Sequence, residues 1–213
     1  TEGKCHTQEE LMALVGESQK DKNGKVILPY TPDASAQHSY VKEATDRGYT
    51  VLVMDGPLAS HVVGKLEQTH TDVQFKRVDA EIADKLIEKD EALSSALDET
   101  QESVVRPILE GAFPGETYKV QFAAMSPTSS PLVITQSEFM RRMKEQQAAG
   151  GGGFAMFGDM PDSYEVTVNA NHPFAMALLE EKDEDKRNSM AKRAANLARL
   201  SQGLLVGEEL TAF

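Results

Sequence analysis

Apolar and polar positions follow one rhythm in the first third of the chain and another in the rest. Leu11, Leu14 and Val15 make a helical stripe behind Thr7 and Glu10, which have capping-box spacing, and Gly16 ends it. Residues 26–30 (VILPY) read as a buried strand, with Pro29 placing its far end near an edge or exit. A helix over 36–47 stops at Gly48, and 50–54 (TVLVM) is a second apolar strand broken by Asp55, Gly56 and Pro57. Leu58, Val62, Val63 and Leu66 carry another helix. Residues 73–78 form a third strand with Val73, Phe75 and Arg77 on one face. Strand, helix, strand, helix, strand with short connections predicts a small parallel α/β layer.

Between 79 and 102 acidic residues dominate, although Ile82, Leu86 and Ile87 still give a helical apolar face. Residues 90–95 break the pattern and mark the expected boundary between domains 1–92 and 93–213. A long helix resumes near Leu97 and is expected to bury Val104, Val105, Ile108 and Leu109, with Pro107 kinking it or shifting its start. Strict alternation follows: Tyr118, Val120 and Phe122, then Tyr164, Val166 and Val168, read as half-buried strands, and 132–134 as a short strand. His172 and Pro173 open a helix, and acidic residues 183–185 start a last long one. On it Met190, Leu197 and Leu204 are seven apart, with the small Ala194 and Ser201 between them. That is a narrow seam along which another helix can approach closely, with Gly207 ending it and 208–213 beginning a further turn. The fold class expected is α+β overall: a small α/β layer, then an α+β domain with a short mixed sheet.

One stretch, 134–161, fits neither rhythm. Thr135 and Glu138 have capping-box spacing, and Phe139, Met140 and Met143 make an apolar stripe. Four glycines, 150–153, then precede Phe154, Met156, Phe157 and Met160, which share no helical or strand period. Flexible apolar side chains on such a tether suit a surface that adapts to varied partners. The alternative is a loop whose Phe residues tuck into a neighbouring core.

Charge narrows the partners. A net −12 over 213 residues makes a phosphate backbone an unfavourable ligand, so nucleic acid is not expected. No apolar run is long enough to span a bilayer and no signal-peptide pattern appears, so a soluble, cytoplasmic protein without membrane contact is expected. The single cysteine, Cys5, excludes an internal disulfide framework, and no neighbour activates it. Neither His6, His38, His61, His70 nor His172 has a partner at metal-ligand spacing, and a capping role is expected of His172. GxGxxG, GxxxxGK[ST] and GxSxG are all absent, so no catalytic, cofactor-binding or metal residue is assigned.

Residues 48–56 (GYTVLVMDG) and 131–135 (PLVIT), taken with 138–143 (EFMRRM) and 169–173 (NANHP), have an order and spacing with a familiar match. The chain resembles the carboxy-terminal part of HtpG, the bacterial ninety-kilodalton heat-shock chaperone family, in its Bacteroidetes form, from about Gly3 to Phe213. The resemblance implies the end of a middle domain (1–92) followed by a dimerisation domain (93–213) of an ATP-dependent chaperone. It implies a homodimer that binds unfolded or partly folded client proteins, in this stretch without the ATP site. ATP and Mg are expected only of the full-length protein, and this stretch is not expected to be an enzyme. The family's mobile client-binding helix matches 135–160 here, pointing to Phe139, Met140, Met143, Phe154, Met156 and Phe157. The helical dimer interface points to Met190, Leu197, Leu204, Leu205 and Phe213. Where some relatives carry an exposed Trp, on the helix after Gly56, this chain has His61. The competing expectation is a small α/β ligand-binding enzyme unit with a regulatory dimerisation domain, its pocket at the strand ends near Thr31, Asp55 and Gly56.

Overall fold

The first helix, α1 (Gln8–Val15), begins with the capping box that the sequence predicts: Glu10 N–H donates to Thr7 Oγ1, and Thr7 N–H to the Glu10 carboxylate. The computed structural model describes residues 4–56, 58–87, 93–137 and 163–213. These divide between two units, 4–87 in the first and the remainder in the second. Both mix helix and sheet, so the chain is α+β overall, with a three-stranded sheet in each unit.

In the first unit β1 (Val26–Thr31) lies between β2 (Leu52–Val53) and β3 (Val73–Arg77), all parallel. The crossovers are α2 (His38–Asp46) and α3 (Ala59–Thr69), and α4 (Ala83–Leu86) follows β3. Pro29 therefore sits in the central strand rather than near an edge. The hydrogen bonds explain how. Tyr30 C=O accepts from Val78 N–H on the β3 side, whereas Thr31 C=O accepts from Met54 N–H on the β2 side. Residues 27, 29 and 31 thus face β2, and β2 pairs with β1 only at Tyr30 and Thr31, past the proline that has no N–H to give. The gap is closed by Gln19, which is fully buried: its Nε2 donates to Ile27 C=O and its Oε1 accepts from Thr50 N–H. One side chain so replaces the ladder that Pro29 prevents. Gln19→Leu should leave that carbonyl and that amide without partners, each worth about 1–3 kcal/mol when buried. Urea unfolding should show the loss, and an unchanged midpoint would mean water replaces the side chain.

The second unit contains α5 (Glu99–Glu110), a 3-10 turn (Gly115–Thr117), β4 (Tyr118–Ala123), β5 (Leu132–Thr135), β6 (Tyr164–Asn169), α6 (Pro173–Glu180), α7 (Glu184–Ser201) and α8 (Gly207–Thr211). Its sheet is mixed, in the order β4-β6-β5, with β6 parallel to β4 and antiparallel to β5. Register turns the alternation in the sequence into rows: Val120 beside Val166 beside Ile134, and Phe122 beside Val168 beside Leu132. Val105 and Leu109 of α5, Leu178 of α6 and Ala191, Ala195 and Ala198 of α7 complete that core. Three positions depart from expectation. Val104 is exposed, being on the outer side of α5 next to the buried Val105. Thr135 ends β5, paired with Glu165, one residue beyond the strand expected over 132–134, and its expected capping partner Glu138 lies outside the described residues. And α7 stops at Ser201, with Gly203 at φ 65°, so Leu204 lies beyond the helix and the seven-residue seam does not run through it.

Candidate functional site

In an open parallel sheet, ligands bind outside the carboxyl ends of the strands, where the connections diverge. Here the ends of β1 and β3 are occupied by the protein's own groups. Thr31 Oγ1 donates to Gln37 Oε1 at 2.7 Å, Gln37 Nε2 donates to Asp79, and Asp79 forms a two-pronged ion pair with Arg77 at 2.7 Å. Thr31 and Gln37 are buried, and burial followed by the nearby Asp79 charge raises the Tyr40 hydroxyl pKa above its ordinary value. The network binds itself, leaving little for a ligand to satisfy. Asp55 and Gly56, which follow the Met54 N–H bonded to Thr31 C=O, are exposed.

The first unit also has an open cleft of about 670 Å³, walled by Leu11, Leu28, Leu52, Leu66, Val73 and Phe75. Cys5, His6, His70 and Asp55 contribute its polar surface. Among the described residues no three His, Cys, Asp or Glu side chains gather as a metal site would need. Nor, among those residues, is any helix long and apolar enough to cross a membrane.

Among the described residues of the second unit, outward apolar side chains concentrate on α7, α8 and their connection. The buried stripe of α7 is Ala191, Ala195 and Ala198, small residues that let it lie close to β5 and α5. That leaves Leu197 (56 % exposed) and Leu200 on the outer side. Val206, Leu210 and Phe213 (50 % exposed) are outward too, and α8 buries none of its residues. The five positions assigned from the resemblance therefore separate. Leu197 and Phe213 are exposed, Met190 and Leu204 pack partly on the unit's own core, and Leu205 is 2 % exposed, inside the chain. Leu200, Val206 and Leu210 are additional. The i,i+3 spacings of Leu197 with Leu200 and of Leu210 with Phe213 were the signal for them.

Behind this surface is Arg199, also buried. Its Nη1 and Nη2 donate to the two carboxylate oxygens of Glu209 at 3.2 and 2.5 Å, and Nη2 reaches Leu204 C=O at 3.4 Å. The guanidinium lies 6.0 Å from the centre of the Tyr118 ring, which stacks on Tyr164. Glu209's bond to Arg199 holds its carboxyl below the ordinary glutamate range. The same bond raises Arg199 further. The pair therefore contributes above the usual glutamate pKa and is lost only as pH falls through the lowered one. Elsewhere His172 caps α6 through Nδ1, accepting from Phe174 N–H, as expected. The client-binding assignment to Phe139, Met140, Met143, Phe154, Met156 and Phe157 lies outside the described residues.

Among its described residues the second unit presents an exposed apolar helical face. The chain matches no family model. It is 34 % identical over 213 residues to the chaperone protein HtpG of Porphyromonas gingivalis, covering 98 % of this chain. To HtpG of Bacteroides thetaiotaomicron it is 34 % identical over 92 % of the chain, and to that of Bacteroides fragilis 35 % over 90 %. The chain is related to the HtpG chaperones of these bacteria and spans about a third of their length, 28–31 %.

Proposed function

We propose that this chain is the carboxy-terminal portion of an ATP-dependent chaperone, supplying homodimerisation and part of the client-binding surface. On this reading 1–92 end the middle domain and 93–213 form the dimerisation domain. The observation that carries it is the outward apolar face of α7 and α8 in a chain related to HtpG proteins. A two-fold contact must be self-complementary, and an apolar helical face meets that requirement without pairing charges. Leu197, Leu200, Leu210 and Phe213 are the residues we assign to it; Leu205 supports them from within. Two differently tagged copies, co-expressed, should co-purify through either tag. Recovery of only one tag from each resin would count against the assembly.

Client contact is assigned to Phe139, Met140, Met143, Phe154, Met156 and Phe157 on their sequence pattern and the resemblance. The ATP site belongs to sequence preceding this stretch, and the whole protein is proposed to work in the cytoplasm with ATP and Mg. Titration of this chain with Mg-ATP in a calorimeter should give only heats of dilution, because its strand-to-helix turns carry no phosphate-binding glycine pattern. A saturable micromolar isotherm would overturn the domain assignment.

A further inference from the structure

We infer that Arg199 is the positioning residue of this contact surface: its guanidinium ties α8 to the end of α7 through Glu209, and so fixes the face on which a second copy docks. The inference rests on the assembly reading above and adds how the surface is held.

Helix α8, Gly207–Thr211, buries none of its residues. Its own side chains therefore give it no hold on the core. Its connection to α7 turns through Gly203 and Gly207, both at positive φ, 65° and 61°. What holds it are Leu204, partly packed on the core, Leu205, buried, and the Arg199–Glu209 pair. Arg199 grips both ends of the connection. Its backbone carbonyl accepts from Gln202 N–H and, at 2.9 Å, from Leu204 N–H; its side chain reaches Leu204 C=O and, across the turn, the Glu209 carboxylate. Two parallel N–H bonds to one carboxylate fix orientation as well as distance. Val206, Leu210 and Phe213 flank Glu209 in sequence, so what orients Glu209 orients them.

A second feature marks the arginine as costly. Its residue is 5 % exposed, and its Nε is buried without an acceptor among the described residues. A buried cation incompletely paired stabilises a fold less than an apolar side chain of similar size. Packing alone would be served as well by Met in the space beside Tyr118. What Met could not do is hold Glu209.

That contrast supplies the test. In the full chain, Arg199→Met should still fold, with a urea midpoint close to the parent's, because Glu209 is half exposed and is left in water. Amide exchange through 207–211 should nevertheless quicken, and dimerisation measured by sedimentation should weaken on the order of tenfold or more. Glu209→Gln should quicken the same amides and weaken the same equilibrium, and Glu209→Asp should restore part of both. If Arg199→Met keeps α8 as protected and the dimer as tight as the parent, the positioning role is overturned. A parent that never dimerises would remove the assembly reading alone. Exchange through 207–211 then decides the tie, with protection lost in Arg199→Met supporting it and protection retained overturning it.

Discussion

Leu197→Asp is expected to abolish dimerisation while leaving the fold untouched. In the single chain Leu197 is more than half exposed, so an aspartate there meets water and disturbs no core contact. Its cost within the unit is therefore that of an ordinary surface substitution, about 0.5 kcal/mol or less. In a two-fold interface the same change acts twice, once in each copy, and places two carboxylates in an apolar contact. Arg199, in the last turn, is already committed to Glu209, and the exposed Arg193, four residues before Leu197, offsets the charge only by the few tenths of a kcal/mol that a surface pair contributes. Stranding an unpaired charge in such a contact costs about 3–5 kcal/mol, which corresponds to a dissociation constant raised at least about a hundredfold. Sedimentation should report a monomer, with a circular dichroism spectrum and a melting temperature like the parent's. A mutant that dimerises as tightly as the parent would show that Leu197 lies outside the interface.

Leu178→Ala should do the reverse. Leu178 is fully buried in the second unit, in one cluster with Val105 and Leu109 of α5, Val166 and Val168 of β6, and Ala191 and Ala195 of α7. Two of those partners are alanines, whose short side chains cannot extend into a vacated space. The cavity should stay largely open, and the cost should lie toward the upper part of the range for such truncations, about 2–5 kcal/mol. Each kcal/mol lowers the melting temperature of a domain this size by roughly 3–6 °C, so a shift of about 10 °C or more is expected. Calorimetry measures it directly. A shift of only a degree or two would mean that α6 is not part of the cooperative core.

The parts of the fold legible in the sequence were those set by local chemistry and period. Thr7, His172 and Asp183 begin their helices as their capping side chains require. The alternation of Tyr118, Val120 and Phe122 with that of Tyr164, Val166 and Val168 became two paired strands in register. What escaped was set by distant partners. Pro29 reads as an edge signal, and only Gln19, outside the strand altogether, makes it tolerable at the centre. The seam over Met190, Leu197 and Leu204 was extended one step too far because a period carries no stop signal. Gln202-Gly203 was that signal, glycine supplying the left-handed residue that ends a helix. Arg199 is likewise invisible in sequence, since a lone cation in a last helical turn is ordinarily a surface residue near the helix dipole. Its burial depends on Tyr118 from β4 and Glu209 from the next helix.

The central claim is that this chain assembles with itself, and its mass in solution as a function of concentration tests that most directly. Sedimentation equilibrium should show a species of twice 23.3 kDa that dissociates only on dilution. A single species of 23.3 kDa at every concentration would contradict the account.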